Sequence, residues 1–224
     1  MVHRREVDGT AVVFGNQGAL WGNAMTWWDH DTGSVWSQPL GEAIAGPRRG
    51  ARLELLSSSL MPWGEWKQRH PGTLALDAPD ANAGFDLDMM AIVVEIGDDS
   101  LATPVTELRQ VGVVNTVVGG NPLAVVVLPG TDQWQVFSRV LDDRTIELEL
   151  DDGRLTAVGG PLVFDPVLGL AERPVGAGGG ATPDVGHDLL RLPGFTLFPR
   201  DYVTFFPDGA FWTREGVVPA ILDE

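Results

Sequence analysis

Residues 145–154 read TIELELDDGR. Ile146, Leu148 and Leu150 alternate with Thr145, Glu147 and Glu149, the period of two that turns one set of side chains inward and the other to water. Asp151-Asp152-Gly153 follows, a run that tolerates positive φ, so the stretch predicts a half-buried strand closed by a tight turn. Outward from it the chain repeats this pattern. Ala11-Val12-Val13-Phe14, Ala91-Ile92-Val93-Val94-Glu95-Ile96 and Leu123-Ala124-Val125-Val126-Val127-Leu128 are β-branched runs too short for helices, set among 28 Gly and 16 Pro. Helical patterns are few. Pro62–His70 predicts two turns ended by Pro71, and Pro104–Gln110 predicts another with Thr103 as its N-cap and Gly112 after it. The fold class expected is mostly β, of α+β type, in antiparallel β modules with few short helices.

The length of 224 residues and 44% hydrophobic content support one large β domain or two small ones. No window reaches the roughly 18 uninterrupted apolar residues of a membrane helix, and no apolar leader follows His3-Arg4-Arg5. The expectation is a soluble chain without a transmembrane segment, cytoplasmic by default and exported if its start is truncated. A net charge of −16 argues against nucleic acid as a partner, because phosphate binding needs clustered cations and the only adjacent pairs are Arg4-Arg5 and Arg48-Arg49. Fourteen arginines and the single Lys67 face twenty Asp and eleven Glu. The chain has no cysteine, which excludes disulfides, thiolate metal sites and cysteine nucleophiles.

The two halves match at a nearly constant shift. Arg5-x-x-Asp8 pairs with Arg139-x-x-Asp142 (139 − 5 = 134), and Asp29-x-x-x-Gly33 with Asp165-x-x-x-Gly169 (165 − 29 = 136). Pro39-x-Gly41 pairs with Pro174-x-Gly176, Trp66 with Tyr202, and His70-Pro71 with Phe206-Pro207. This predicts two related modules, a first in residues 1–86 lacking its N-terminal strands and a complete second in 87–224. In the second, two strands, a short helix and a turn at Asn115–Pro122 lead into Arg139.

The order Arg5-x-Val7-Asp8-Gly9, Met25-x-x-x-Asp29-x-x-Thr32-Gly33-Ser34-x-Trp36-Ser37-Gln38, Gly41-Glu42-Ala43-Ile44-x-Gly46-Pro47 and Trp63-x-Glu65-Trp66-x-x-x-His70-Pro71 resembles the prokaryotic family catalogued as domain of unknown function 3179. Val113–Pro122 is similar to the same family's asparagine and double-glycine segment. The resemblance brings no biochemical activity. It does imply a CPLC segment ahead of the arginine that matches Arg5. In the second half that place reads Leu128-Pro129-Gly130-Thr131, so CxxC chemistry is not expected of this chain.

The chemically richest stretch is WWDHDTGSVWSQ, residues 27–38. Its DTGS matches the string around the aspartate of pepsin-like proteases, whose mechanism needs two carboxylates sharing a proton. The repeat places Val167 opposite Asp31, so the second carboxylate is missing. Asp29 and Gly33, which recur as Asp165 and Gly169, read as an Asx turn with Trp27, Trp28 and Trp36 packed across it. What the first half alone carries is His30, Asp31, Ser34, Trp36, Gln38, Glu42 and His70. Six of eight tryptophans lie between Trp21 and Trp66, and aromatic faces flanked by carboxylates suit a sugar, another small molecule or a protein partner. The expectation is a non-catalytic binding or interaction module with Trp28, Asp29, Asp31, Ser34, Trp36, Gln38 and Glu42 around its ligand. The alternative is a hydrolase-type enzyme in which Asp31, Glu42 and His30 or His70 hold a divalent cation or act as acid and base. No HExxH, GxSxG or GxxxxGK string supports that alternative.

Overall fold

A computed structural model of the protein describes residues 1–75, 86–173, 182–183 and 186–220. It is mostly β, and among the described residues the strands pair antiparallel save at one contact. Pro174-x-Gly176 and the glycines after it, which the repeat sets opposite the first half's Pro39-x-Gly41 and Glu42, lie outside the described residues. Among the described residues no helix is long and apolar enough to cross a membrane.

The TIELELDDGR stretch forms a strand, Leu148–Asp151, returning through Asp152 (φ 47°) and Gly153 (φ 75°) into Arg154–Ala157. Burial alternates as expected: Leu148 is buried while Glu147 and Glu149 are exposed. The extended run is interrupted at Ile146, because Thr145 belongs to a separate small hairpin with Val140–Leu141. Ala11–Phe14 also differs from the expectation. Thr10–Ala11 closes a hairpin on Glu6–Val7, a new strand begins at Phe14, and Val12 between them is buried in the core.

The first half is a four-stranded antiparallel sheet in the order Phe14–Trp21, Ala24–Asp29, Val35–Ser37, Glu42–Ala45. Its core gathers Val7, Val12, Trp36, Ala43 and Leu53, with Phe14, Trp27 and Ala51 against them. Helix α1, Trp63–Arg69, follows within the limits set by Pro62 and Pro71.

The second half begins with Ala91–Ile96 and Asp99–Pro104, the centre of a five-stranded sheet completed by Phe195–Leu197, Ala210–Thr213 and Gly216–Pro219. The Asp99–Pro104 and Ala210–Thr213 strands pair in parallel. Helix α2, Val105–Val111, caps differently from expectation. Pro104 occupies the N-cap without a side-chain bond, since Thr103 is drawn into the strand, and Gly112 (φ 74°) ends the helix. A three-stranded sheet, Val113–Val118, Asn121–Val127 and Trp134–Ser138, comes next, its first turn narrowed to Gly119-Gly120. Leu148–Asp151 starts the remaining five-stranded sheet. Helix α3, Pro199–Phe205, was not legible as a helix in the sequence. It carries Val203 and three aromatic or β-branched neighbours, and the burial of Tyr202 and Phe205 in the core overrides that low propensity.

Backbone hydrogen bonds recur across the halves. Val12 N donates to Arg5 O and Ile146 N to Arg139 O. Arg4 N donates to Glu54 O and Ser138 N to Leu190 O, each at 2.8 Å. His70 N donates to Trp66 O and Phe206 N to Tyr202 O, also at 2.8 Å, at the ends of α1 and α3. One side chain differs sharply. Arg139 is buried and donates to the carbonyls of Leu123, Ile146 and Thr116, whereas Arg5 is exposed. The halves share a core rather than standing apart: Ala24 is buried with Phe195, Tyr202 and Phe206, and Met1, Leu40 and Leu55 pack against the same cluster.

Candidate functional site

Strand Ala24–Asp29 ends in a turn that Asp29 itself closes. Asp29 N donates to Ser34 O at 3.0 Å and Gly33 N to Asp29 O at 2.9 Å, with Gly33 at φ 69°. The carboxylate is fully buried and accepts from Thr32 N at 2.7 Å, Thr32 Oγ1 at 2.8 Å and Trp36 Nε1 at 2.9 Å. Arg48 Nη1 lies 3.1 Å away as an ionic neighbour. Burial pushes the Asp29 carboxyl up; the bonds from Trp36 and Thr32 and the charge of Arg48 outweigh it and hold the carboxyl below its ordinary value. Because Thr32 Oγ1 gives its proton to Asp29, Ser34 Oγ must donate to Thr32 Oγ1 at 2.7 Å, and Ser34 Oγ in turn accepts from Arg48 N at 3.0 Å. Arg48, Ser34 and Thr32 thus form a chain of hydrogen bonds that ends on the Asp29 carboxylate.

That chain decides where several expected site residues stand. Ser34 and Trp36 are fully buried, Trp36 as the centre of the first-half core, with Phe14 edge-on at 5.4 Å. A Cβ on Gly46 would lie 2.7 Å from Ser34 Cα, so the backbone itself closes over the serine. Asp31 sits outside, half-exposed, 3.3 Å from Arg48 Nη2. Gln38 uses its backbone: its carbonyl accepts from His3 Nε2 at 3.0 Å and its N–H donates to Met25 O at 3.1 Å. Trp28 and His30 stack face to face on the exposed side, 4.3 Å between centroids at 8°. His70 lies on Trp66 at 4.0 Å, on α1 and its cap. Glu42 accepts from Arg52 Nε at 2.9 Å. Asp31 and Glu42 are therefore held by different arginines, and among the described residues no three of His, Asp and Glu are grouped so as to hold a metal ion. In the second half a similar turn has different donors. Asp165 Oδ1 accepts from Val167 N and Leu168 N, its Oδ2 pairs with Arg69 Nη1 at 3.2 Å, and Val167, opposite Asp31, is buried.

Among the clefts that lie elsewhere, two carry charged side chains that bear on binding. The first is where the first half meets the Ala91–Ile96 strand and the end of α3, as adjoining hollows of about 360 and 290 Å³ that share Leu40, Arg52, Glu95 and Gly97. Arg52 bridges Glu42 and Glu95 there, the second at 3.2 Å, and Asp98 and Asp208 add two more carboxylates. Burial pushes the Glu95 carboxyl up; Arg52 pulls it back and the Glu42 charge adds to the rise, which survives. His3, in the same wall, is pushed down by burial, and its Nδ1 is out of water with no partner among the described residues. The second cleft, about 370 Å³, lies between α1, the Ser57–Ser59 segment, Leu168 and Arg191. Sequence reasoning missed Arg48, Arg52, Glu95 and Arg191. Arg48 carried one signal, as half of one of two arginine pairs; the others stand alone in the sequence with nothing local to mark them.

The family model described as protein of unknown function, DUF3179, matches residues 1–88. No curated protein and no solved structure matches the chain. The match covers the strings from Arg5 to His70-Pro71 on which the resemblance was read, so the four-stranded sheet, the Asp29 turn and α1 all fall inside it. Over its first 88 residues the chain is similar to the DUF3179 family.

Proposed function

We propose that the protein is a non-catalytic binding module whose ligand lies in the cleft around Arg52 and Glu95. The observation that carries this is the charge balance there. Glu42 and Glu95 hold the guanidinium of Arg52, Asp98 and Asp208 line the same hollow, and Pro39 and Leu40 supply an apolar wall. Excess carboxylate beside apolar surface, in a partly desolvated hollow, suits a small organic cation. The groups suited to acid and base chemistry are otherwise engaged: Asp29 is held ionised by its donors, and Asp31 and Glu42 each neutralise an arginine. Residues 1–86 and 87–224 are read, within the same proposal, as related modules. The recurring backbone bonds and the matching placement of α1 and α3 support that reading.

Benzylamine, titrated into the labelled protein while the amides of Gly97 and Gly209 are followed by NMR, tests the site. Saturable shifts that weaken at least tenfold in Glu95→Gln are expected. Equal binding of uncharged benzyl alcohol, or no saturable shift at either amide, would overturn the proposal.

A further inference from the structure

We infer that the cleft between α1 and Arg191 is a separate site for a small organic anion, a carboxylate or phosphate ester bearing an apolar group. The inference goes beyond the proposal for the Arg52 cleft and uses none of its residues.

The cleft departs from the rest of a chain whose net charge is −16. Arg69, His70 and Arg191 line it together with Ser57, Ser58 and Ser59. Arg69 is answered by Asp165 at 3.2 Å, but Arg191 makes no ion pair among the described residues. Its Nη1 donates instead to Ser59 Oγ at 3.1 Å, and Gln135 Nε2 donates to the same oxygen at 2.5 Å. A half-buried guanidinium with only a neutral oxygen for company keeps donors in hand, and its bond to the pinned serine holds it in place. Arginine in that state is suited to a bidentate grip on an oxyanion.

A second observation is independent of charge. Ser57 Oγ is shut from water and has no hydrogen-bond partner among the described residues. An unmet hydroxyl in the wall of a cleft is a cost that a bound acceptor, with a small shift of the segment, would remove. The remaining walls explain why the anion is organic. Trp66, with His70 laid on it at 4.0 Å, and Met61 and Leu168 offer aromatic and apolar surface. Inorganic phosphate would satisfy the donors and leave that surface wet.

The test titrates phenyl phosphate, benzoate, inorganic phosphate and benzyl alcohol into the full chain, following the Trp66 indole N–H by NMR. Saturable shifts with the two aryl anions are expected, the tighter of them naming the head group, with inorganic phosphate at least tenfold weaker. Arg191→Gln should weaken the aryl anions at least tenfold, and Arg52→Gln should leave them unchanged. If Arg191→Gln is poorly folded by its melting curve, Ser58→Asp, which sets a carboxylate in the wall, should abolish the shifts instead. Absence of saturable binding, equal binding of benzyl alcohol, equal binding of inorganic phosphate, or full binding by a folded Arg191 or Ser58 variant would each overturn the inference.

Discussion

The indole Nε1 of Trp36 donates to Oδ2 of Asp29 at 2.9 Å, and both side chains are shut from water. A tryptophan at the centre of a core is thereby tied to an ionised carboxylate at the end of a strand. Asp29 is thus part of the fold. It is committed to three hydrogen-bond donors and the charge of Arg48, and it is shut from water.

Replacing that carboxylate should be costly. Asp29→Asn keeps the shape but sets an amide against the N–H and O–H donors and strips Arg48 of its buried partner, a loss of about 3–5 kcal/mol by the cost of breaking a buried ion pair. Asp165→Asn, in the second half's turn, should cost about 1 kcal/mol, since Asp165 is 22% exposed and has no tryptophan or threonine donor. Urea unfolding of the two variants separates these values, and equal losses would contradict the account.

Acid should act through the same group. Asp29 is held below its ordinary 3.8, so its contribution is present above that value and is lost as pH falls through the lower folded value. The stability gap between wild type and Asp29→Asn should therefore be constant near neutrality and shrink below about pH 4, measured by denaturation at each pH. Glu95 runs the other way. Its folded value lies above 4.5, so stability it contributes is present below 4.5 and is lost as pH rises through the folded value. Wild type should lose stability relative to Glu95→Gln over that interval.

Two glycines of like backbone conformation should respond unequally. Gly46 (φ 94°) faces Ser34, whose Cα would be 2.7 Å from a new Cβ, whereas nothing lies within 4 Å of Gly153 (φ 75°). Gly153→Ala carries only the left-handed penalty, about 1–2 kcal/mol. Gly46→Ala adds displacement of the serine that links Arg48 to Thr32, and should lower the melting temperature by clearly more.

Arg52 offers a contrast between stability and function. Its side chain is 57% exposed, so Arg52→Ala should change unfolding stability by less than about 1 kcal/mol despite two carboxylate partners. It should nonetheless tighten binding of a cationic ligand, because the arginine that lines that cleft is gone. Isothermal calorimetry with benzylamine measures this, and weaker binding by the variant would count against a cation site.

Local signals in the sequence were reliable where the structure is locally determined. The Leu148–Leu150 alternation, the Asp152-Gly153 turn and the limits of α1 at Pro62 and Pro71 each depend on neighbours in the chain. The Asx role of Asp29 was legible because Asp165 keeps the turn while the groups around it change. Three things were not legible. Helix α3 depends on Tyr202 reaching Ser100 and the Phe195 cluster, contacts far away in sequence. The interior positions of Ser34 and Trp36 follow from Arg48 and Gly46 folding back over the turn, and no local periodicity encodes that. The cleft at Arg52 is made by Glu42 and Glu95, fifty-odd residues apart, which meet only when the halves pack.

The most direct test compares two carboxylates in one titration. Benzylamine binding is measured in Glu95→Gln, whose residue lines the Arg52 cleft, and in Asp31→Ala, whose residue belongs to the Asp29 turn. The account predicts at least a tenfold loss for Glu95→Gln and wild-type affinity for Asp31→Ala. Loss on removing Asp31, with Glu95→Gln binding normally, would contradict it.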